Sequence, residues 1–278
     1  VGGAFAGAAI GAQVGGFRKL ISEFADYSAK IEKLKISLKG IAGSQEEYSR
    51  ALAAAAGATE NLNIPQEIAI QGITRLTAAV KGAGGGVADA ELAFNSINSA
   101  IIATGGGAEQ VEGAITALVQ IFSKGKVSAE EINQIAERLP GTFNKIAEAS
   151  GRTGPELAKA LQAGTVGLND LQKFLISLGD EYSDLAREIA NSSQSAGERL
   201  ARSFDNLREN VGKALQPVGA DFQDAFNEFL KEITPGLIES SKAVASLLKV
   251  ILESKDVILP VVELTAKILA LKLAIGGL

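Results

Sequence analysis

From Leu178 onward, apolar residues return in elevens, with offsets of zero, four and seven. The series reads Leu178, Tyr182, Leu185; Ile189, Ser193, Ala196; Leu200, Phe204, Leu207; Val211, Leu215, Val218; Phe222, Phe226, Phe229; Ile233, Leu237, Ser240; and Val244, Leu248, Ile251. Only Ser193 and Ser240 in it are polar. An eleven-residue repeat corresponds to about 3.67 residues per turn, slightly above the α-helical value, so one continuous helix carrying it would coil right-handedly around partners. Pro217 and Pro235-Gly236 interrupt the series and should kink or end the helix. Two readings follow: self-association of copies, or several amphipathic helices packing within one chain. The residues that would carry either are Leu200, Phe204, Leu207, Val211, Leu215, Phe222, Phe226 and Phe229.

The N-terminus has a different pattern. In "GAFAGAAIGAQVG", Gly3, Gly7, Gly11 and Gly15 are spaced four apart. Each glycine costs roughly 1 kcal/mol relative to alanine inside a helix, so a compensating contact is expected. Four-residue spacing places all four on one face, a smooth strip that another backbone can approach closely. Residues 1–17 are uncharged and would make about 26 Å of helix against a hydrocarbon core of about 30 Å. Their Ala and Gly content is only weakly hydrophobic, so packing against protein is expected ahead of membrane insertion. The start at Val1 predicts a processed or truncated chain, and no basic segment marks a secretory signal.

Between these regions helix signals succeed one another without a convincing strand. Ser44 and Glu47 have capping-box spacing, as do Ser128 and Glu131. Asn63-Ile-Pro65 predicts a helix start with proline in the first turn. Glycine loops at 82–86 and 105–107 bracket a helix, and the next break falls at "SKGK", 123–126. This even spacing predicts antiparallel helices joined by tight turns. Past residue 254, "DVILPVVELTAKILALKLAIGGL" is strongly apolar, but Pro260, Glu263, Lys267 and Lys272 argue against a plain spanning helix.

Composition narrows the chemistry. Of 278 residues 46% are hydrophobic and 5% aromatic, with no Trp. The apolar content is mostly Ala, Leu, Ile and Val, the palette of helix-on-helix packing, and the fold class expected is all-α. His and Cys are both absent, which removes thiol nucleophiles, imidazole triads and zinc or haem sites using those ligands. No cofactor or metal site is expected. The net charge of −5 and the lack of a basic patch argue against a specific nucleic-acid binder. Neither glycine loop continues into Gly-Lys-Ser/Thr, so the phosphate-loop fingerprint fails. The carboxylate pairs Glu46/Glu47, Glu130/Glu131 and Asp180/Glu181 fit helix first turns better than acid–base catalysis.

Three stretches carry a resemblance: "LNIPQEIAIQGITRLTAAVKGAG" at 62–84, "SKGKVSAEEINQIAERLPGTFNKIAEASG" at 123–151 and "ELAKALQAGTVGLNDL" at 156–171. The most specific piece is "GKVSAEE" followed by "ERLPG", with Gly125, Lys126, Ser128, Glu131, Leu139, Pro140 and Gly141 as its marks. Residues 62–175 resemble the tape measure domain of tailed-phage tape measure proteins. One departure is Ala136, where the family pattern has glycine before Glu137. Read by itself, the motif is a short helix with Ile132, Ile135 and Leu139 on one face and a Pro-Gly stop.

The resemblance implies a structural, non-enzymatic protein in the lumen of the tail tube, which sets tail length during assembly and assists genome passage through the host envelope. It implies tail tube and tail tip proteins, tail assembly chaperones and further copies of the chain as partners, with host membrane contact on ejection. The expected organisation is a glycine-strip helix and following amphipathic helix over 1–43, the tape measure domain over 44–175, the eleven-residue segment over 176–254 and an apolar segment over 255–278. Two other classes compete: a membrane-active pore-forming helical protein, suggested by the apolar ends, and a cell-wall hydrolase, which the missing His and Cys disfavour.

Overall fold

Glycine and proline punctuate the chain where the helices end, and the breaks expected at 82–86, 105–107, 123–126 and 140–141 are observed, while those expected at Pro217 and Pro235-Gly236 lie outside the described residues. The structure, a computed structural model, describes residues 2–192 and 196–215, with the helix path alone given for 2–21. Among the described residues there are ten helices and no strand. They are α1 (Gly2–Ala42), α2 (Gln45–Leu62), α3 (Gln66–Gly82), α4 (Val87–Ala103), α5 (Ala108–Lys124), α6 (Ala129–Ala136), α7 (Thr142–Ala149), α8 (Gly154–Gln162), α9 (Leu168–Asn191) and α10 (Ala196–Leu215). The all-α expectation holds. The chain divides into two compact units, Val1–Ala29 with Leu207–Leu278, and Lys30–Asn206.

Within the Lys30–Asn206 unit, α2, α3, α4 and α5 run up and down. Lys81 at the end of α3 reaches Glu47 at the start of α2, 3.0 Å away, and Arg50 reaches Glu91 at 3.3 Å. Helix α4 is the centre: Phe94, Ile97, Ala100 and Ile101 are fully buried, and it is covered on most sides. A helix apolar around most of its circumference needs neighbours on every side. Ile70, Ile73 and Leu76 of α3, Ile115 and Leu118 of α5, and Phe174 and Leu178 of α9 supply them, each no more than 1% exposed. Burying each such side chain contributes roughly 1.5–3 kcal/mol. At Gly72 the packing closes to backbone: a Cβ there would stand 2.8 Å from Ile115 Cδ1 and 3.1 Å from the Phe94 ring.

Helix α9 returns parallel to α4, with Gln172 beside Asp89 and Gly179 against Ser96. Its buried positions are Leu171, Phe174, Leu175, Leu178, Ala186 and Ala190, an ordinary helical stripe. Within α9 this buried set departs from the eleven-residue series. Leu185, a seam position, is 43% exposed, whereas its neighbour Ala186 is 0%. The helix also ends at Asn191, and Ser192 is extended, so the series passes across a break. The expected boundary at 175/176 falls inside α9. Leu200, Phe204, Leu207, Val211 and Leu215 lie on α10; the partners of their side chains, and the series from Val218 onward with Phe222, Phe226 and Phe229, lie outside the described residues. Gly3, Gly7, Gly11 and Gly15 all fall within α1, which passes without a break into the amphipathic stretch; what the strip packs against is likewise outside them.

Two helix starts differ from expectation. Pro65 sits at the N-cap of α3 rather than inside its first turn, because Asn63, in the left-handed region at φ 57°, turns the chain one step earlier. At α2, Ser44 Oγ accepts from the Glu47 N–H at 3.1 Å as expected, but the Glu47 carboxylate pairs with Lys81 across the helix interface instead of completing the box. No helix among the described residues is long and apolar enough to cross a membrane; the apolar stretch 255–278 lies outside them.

Candidate functional site

The motif shared with the resembled family starts where α5 must stop. Gly125 takes φ 69°, which a residue with a Cβ adopts only at a cost, and so turns the chain sharply out of α5. Lys126 after it is exposed, and Val127 drops into the core, where its N–H donates to the Val166 carbonyl at 3.2 Å. That bond ties the entrance of α6 to the exit of α8. Ile132, Ile135 and Leu139 are fully buried, as their spacing predicted. Pro140 and Gly141 then end the turn, with Gly141 at φ 86°, and the Thr142 hydroxyl donates to the Leu139 carbonyl at 2.6 Å.

The capping box expected at Ser128 and Glu131 is not the contact made. The Ser128 hydroxyl donates to the Glu131 carboxylate instead of accepting a first-turn N–H, and Lys124 from the end of α5 donates to the other carboxylate oxygen. The reason is burial: Glu131 is 0% exposed, and a buried carboxylate takes every donor within reach. Burial opposes its charge, but the hydrogen bonds from Lys124 and Ser128 outweigh it and hold its carboxyl below the usual carboxylate range. The bond to Glu131 raises Lys124 in turn. Glu130 lies 3.6 Å from the same ammonium. This cluster fastens α6 to α5, and its carboxylates face a cation, so it offers no poised general base.

Arg138 in "ERLPG" makes a second fastening. Its guanidinium donates to the Gln134 carbonyl at 2.6 Å, and its side chain lies flat on α5 over Gly113, where any Cβ would overlap it. Sequence reasoning passed over both residues. Also missed were the starts of α4, α5 and α9, where the Gly86, Gly107 and Gly167 N–H groups donate to Asp89, Gln110 and Asp170 at 2.9, 3.0 and 3.3 Å. Their Gly-x-x-Asp/Gln spacing was visible as the reverse half of a capping box. At α8, both the Thr153 N–H and its hydroxyl donate to Glu156, and these lower the Glu156 carboxyl, the backbone bond most. The third carboxylate pair resolves similarly: Glu181 pairs with Lys145 of α7, and that bond lowers it. Among the described residues no group of three or more Asp or Glu could hold a metal ion.

A family model described as Tape measure protein matches residues 22–232, more than half of the chain. The chain belongs to the tape measure protein family. The family match takes in all of the Lys30–Asn206 unit, with the Gly125–Gly141 motif in its interior. Among relatives, the Mu-like prophage FluMu protein gp42 of Haemophilus influenzae is 27% identical over 161 residues, covering 52% of this chain and 26% of that protein. A probable tape measure protein of Salmonella phage Felix O1 is 29% identical over 101 residues, 36% of this chain and 13% of its own length. One from Lactococcus phage p2 is 26% identical over 172 residues, 53% of this chain and 16% of the relative. The chain therefore spans no more than 26% of the length of these relatives. No solved structure is a significant match.

Proposed function

We propose that this tape measure chain is a structural part of a phage tail that acts by length and packing rather than by catalysis. It occupies the lumen of the tail tube, sets the length to which tube subunits polymerise, and assists genome passage through the host envelope. The observation that carries this reading is the family match over residues 22–232. The titratable clusters support it: each carboxylate pair read from the sequence contributes a member to an ion pair that fastens two helices. The partners are tail tube and tail tip proteins, tail assembly chaperones and further copies of the same chain. The Gly3, Gly7, Gly11 and Gly15 strip supports lateral packing of copies, because such a face lets backbones approach closely. Replacing Gly7 and Gly11 with Leu is expected to weaken association in analytical ultracentrifugation; unchanged association would remove the strip from the argument.

The ruler itself is tested by tail length in electron micrographs of virions whose parent gene carries an in-frame duplication of residues 216–251. A stretched helix adds about 1.5 Å per residue, so tails about 54 Å longer are expected. Tails of parental length would overturn the ruler reading.

A further inference from the structure

Residues 22–29 of α1 and 207–213 of α10 belong to the same compact unit, although the whole of 30–206 lies between them in sequence. They meet at Gly212. This residue is buried, and a Cβ on it would overlap both the Phe24 carbonyl oxygen and the Ser28 Cβ, and would stand 3.1 Å from the Phe24 carbonyl carbon. Two helix backbones are thus in contact with no side chain between them, which only glycine permits. One turn before, the Arg208 guanidinium lies over the Tyr27 ring, 4.3 Å from its centroid, a cation–π contact. Phe24 and Ser28 are each 2% exposed, and Glu209 is 6% exposed and held by Lys213 at 2.6 Å. The crossing is close and buried.

Its position in the chain gives it a mechanical consequence. Tension applied to the two ends of a chain follows the shortest connected path, and a non-covalent crossing upstream and downstream of a folded segment shortens that path past the segment. We infer that the crossing of Phe24 and Ser28 with Gly212 is a tension bypass: it closes residues 30–206 into a loop, so the bundle stays folded and adds no length while the rest of the chain is drawn out. This rests on the ruler reading proposed above. If the loop were instead drawn out as helix, it would add about 265 Å at about 1.5 Å per residue.

These 278 residues contain no Cys, so Tyr27→Cys with Arg208→Cys introduces one addressable pair into them, in a parent protein whose other cysteines, where it has any, are replaced by Ser. Tails are assembled with that pair bridged by a short bis-maleimide and, in parallel, unbridged. Bridged tails of parental length and yield are expected, because the loop never opens. Bridged tails shorter by up to about 265 Å, or a loss of tails on bridging that the unbridged pair does not show, would overturn the bypass. The duplication of 216–251 in the unbridged background reports on the ruler separately: without its lengthening the ruler reading fails, whatever the bridge does. Hydrogen exchange on the Gly212→Leu chain tests the crossing without any tail. Exchange at least tenfold faster in 22–29 and 207–213, with α3–α5 unchanged, is expected; unchanged protection of 22–29 would overturn the clamp.

Discussion

The bundle of α2–α5 with α9 and the run of short helices α6–α8 belong to one compact unit, yet different forces hold them. In the bundle, long helices close on Phe94, Ile97, Ile101, Ile73, Leu118 and Phe174, all fully buried. In α6–α8, helices of 8, 8 and 9 residues bury only two or three positions each. Helices that short are marginal by themselves. Their ends need fixing beyond apolar packing, and here polar groups fix them: Lys124 and Ser128 on Glu131, Arg138 across Gly113, the α8 cap of Thr153 on Glu156, and Arg152 with Asp170 at 3.1 Å. Long helices specify their packing through shape, and short ones through directed bonds. The family motif falls in the second class, which accounts for a recognisable string of residues without reactive chemistry.

This contrast is best broken at the centre of the bundle. Phe94→Ala should cost about 3–5 kcal/mol, the transfer loss plus the cavity left against Gly72 and Ile115, read as a shift of the urea midpoint with an unchanged slope. A loss under about 1 kcal/mol would mean that α4 is not the packed centre. Next in size is Glu131→Ala, expected to cost about 1–3 kcal/mol because the Ser128 hydroxyl loses its acceptor while Lys124 can still turn to water. Hydrogen exchange should show faster exchange in α6 than in α3; uniform loss would erase the distinction drawn here. Asp170→Ala, which removes both the Gly167 N–H acceptor and the Arg152 partner, should cost about 1 kcal/mol, with α8 and the start of α9 loosened first. Smallest of all, Leu185→Ala should stay within about 0.5 kcal/mol, since that side chain lies outside the buried stripe of α9; a larger loss would restore it to a packing seam.

Acid sharpens the same comparison. Glu131, Glu156 and Glu181 are all lowered in the folded chain, so the stability they contribute is full above the ordinary carboxylate value of about 4.3 and is lost as pH falls through their lowered folded values. Exchange protection followed downward from pH 5 should therefore fail in α6–α8 before it fails in α3–α5. Simultaneous failure would mean that the ion pairs do not set the local stability of the short helices.

How much of this was legible follows from the range of the forces. Apolar spacing and Gly or Pro stops act within one helix, so the all-α class, the helix between the loops at 82–86 and 105–107, and the buried face of Ile132, Ile135 and Leu139 were readable from residues alone. The Gly-x-x-Asp/Gln starts were equally local and could have been read. Glu131 and Glu47 could not: each has capping spacing in sequence, but each is claimed by a lysine, Lys124 or Lys81, that the fold brings beside it. Over α9 the eleven-residue series departs from the buried set for a similar reason. Its period is close to that of an ordinary helix, and only the break after Asn191 together with α4 lying against α9 decided that Ala186 turns inward and Leu185 outward. Sequence determined which segments are helical, where they stop and which family they resemble, because those signals lie within a few residues of each other. Tertiary structure alone decided which charged side chain meets which, and that Gly212 lies against Phe24 and Ser28, because those contacts join residues brought together only when the chain closes.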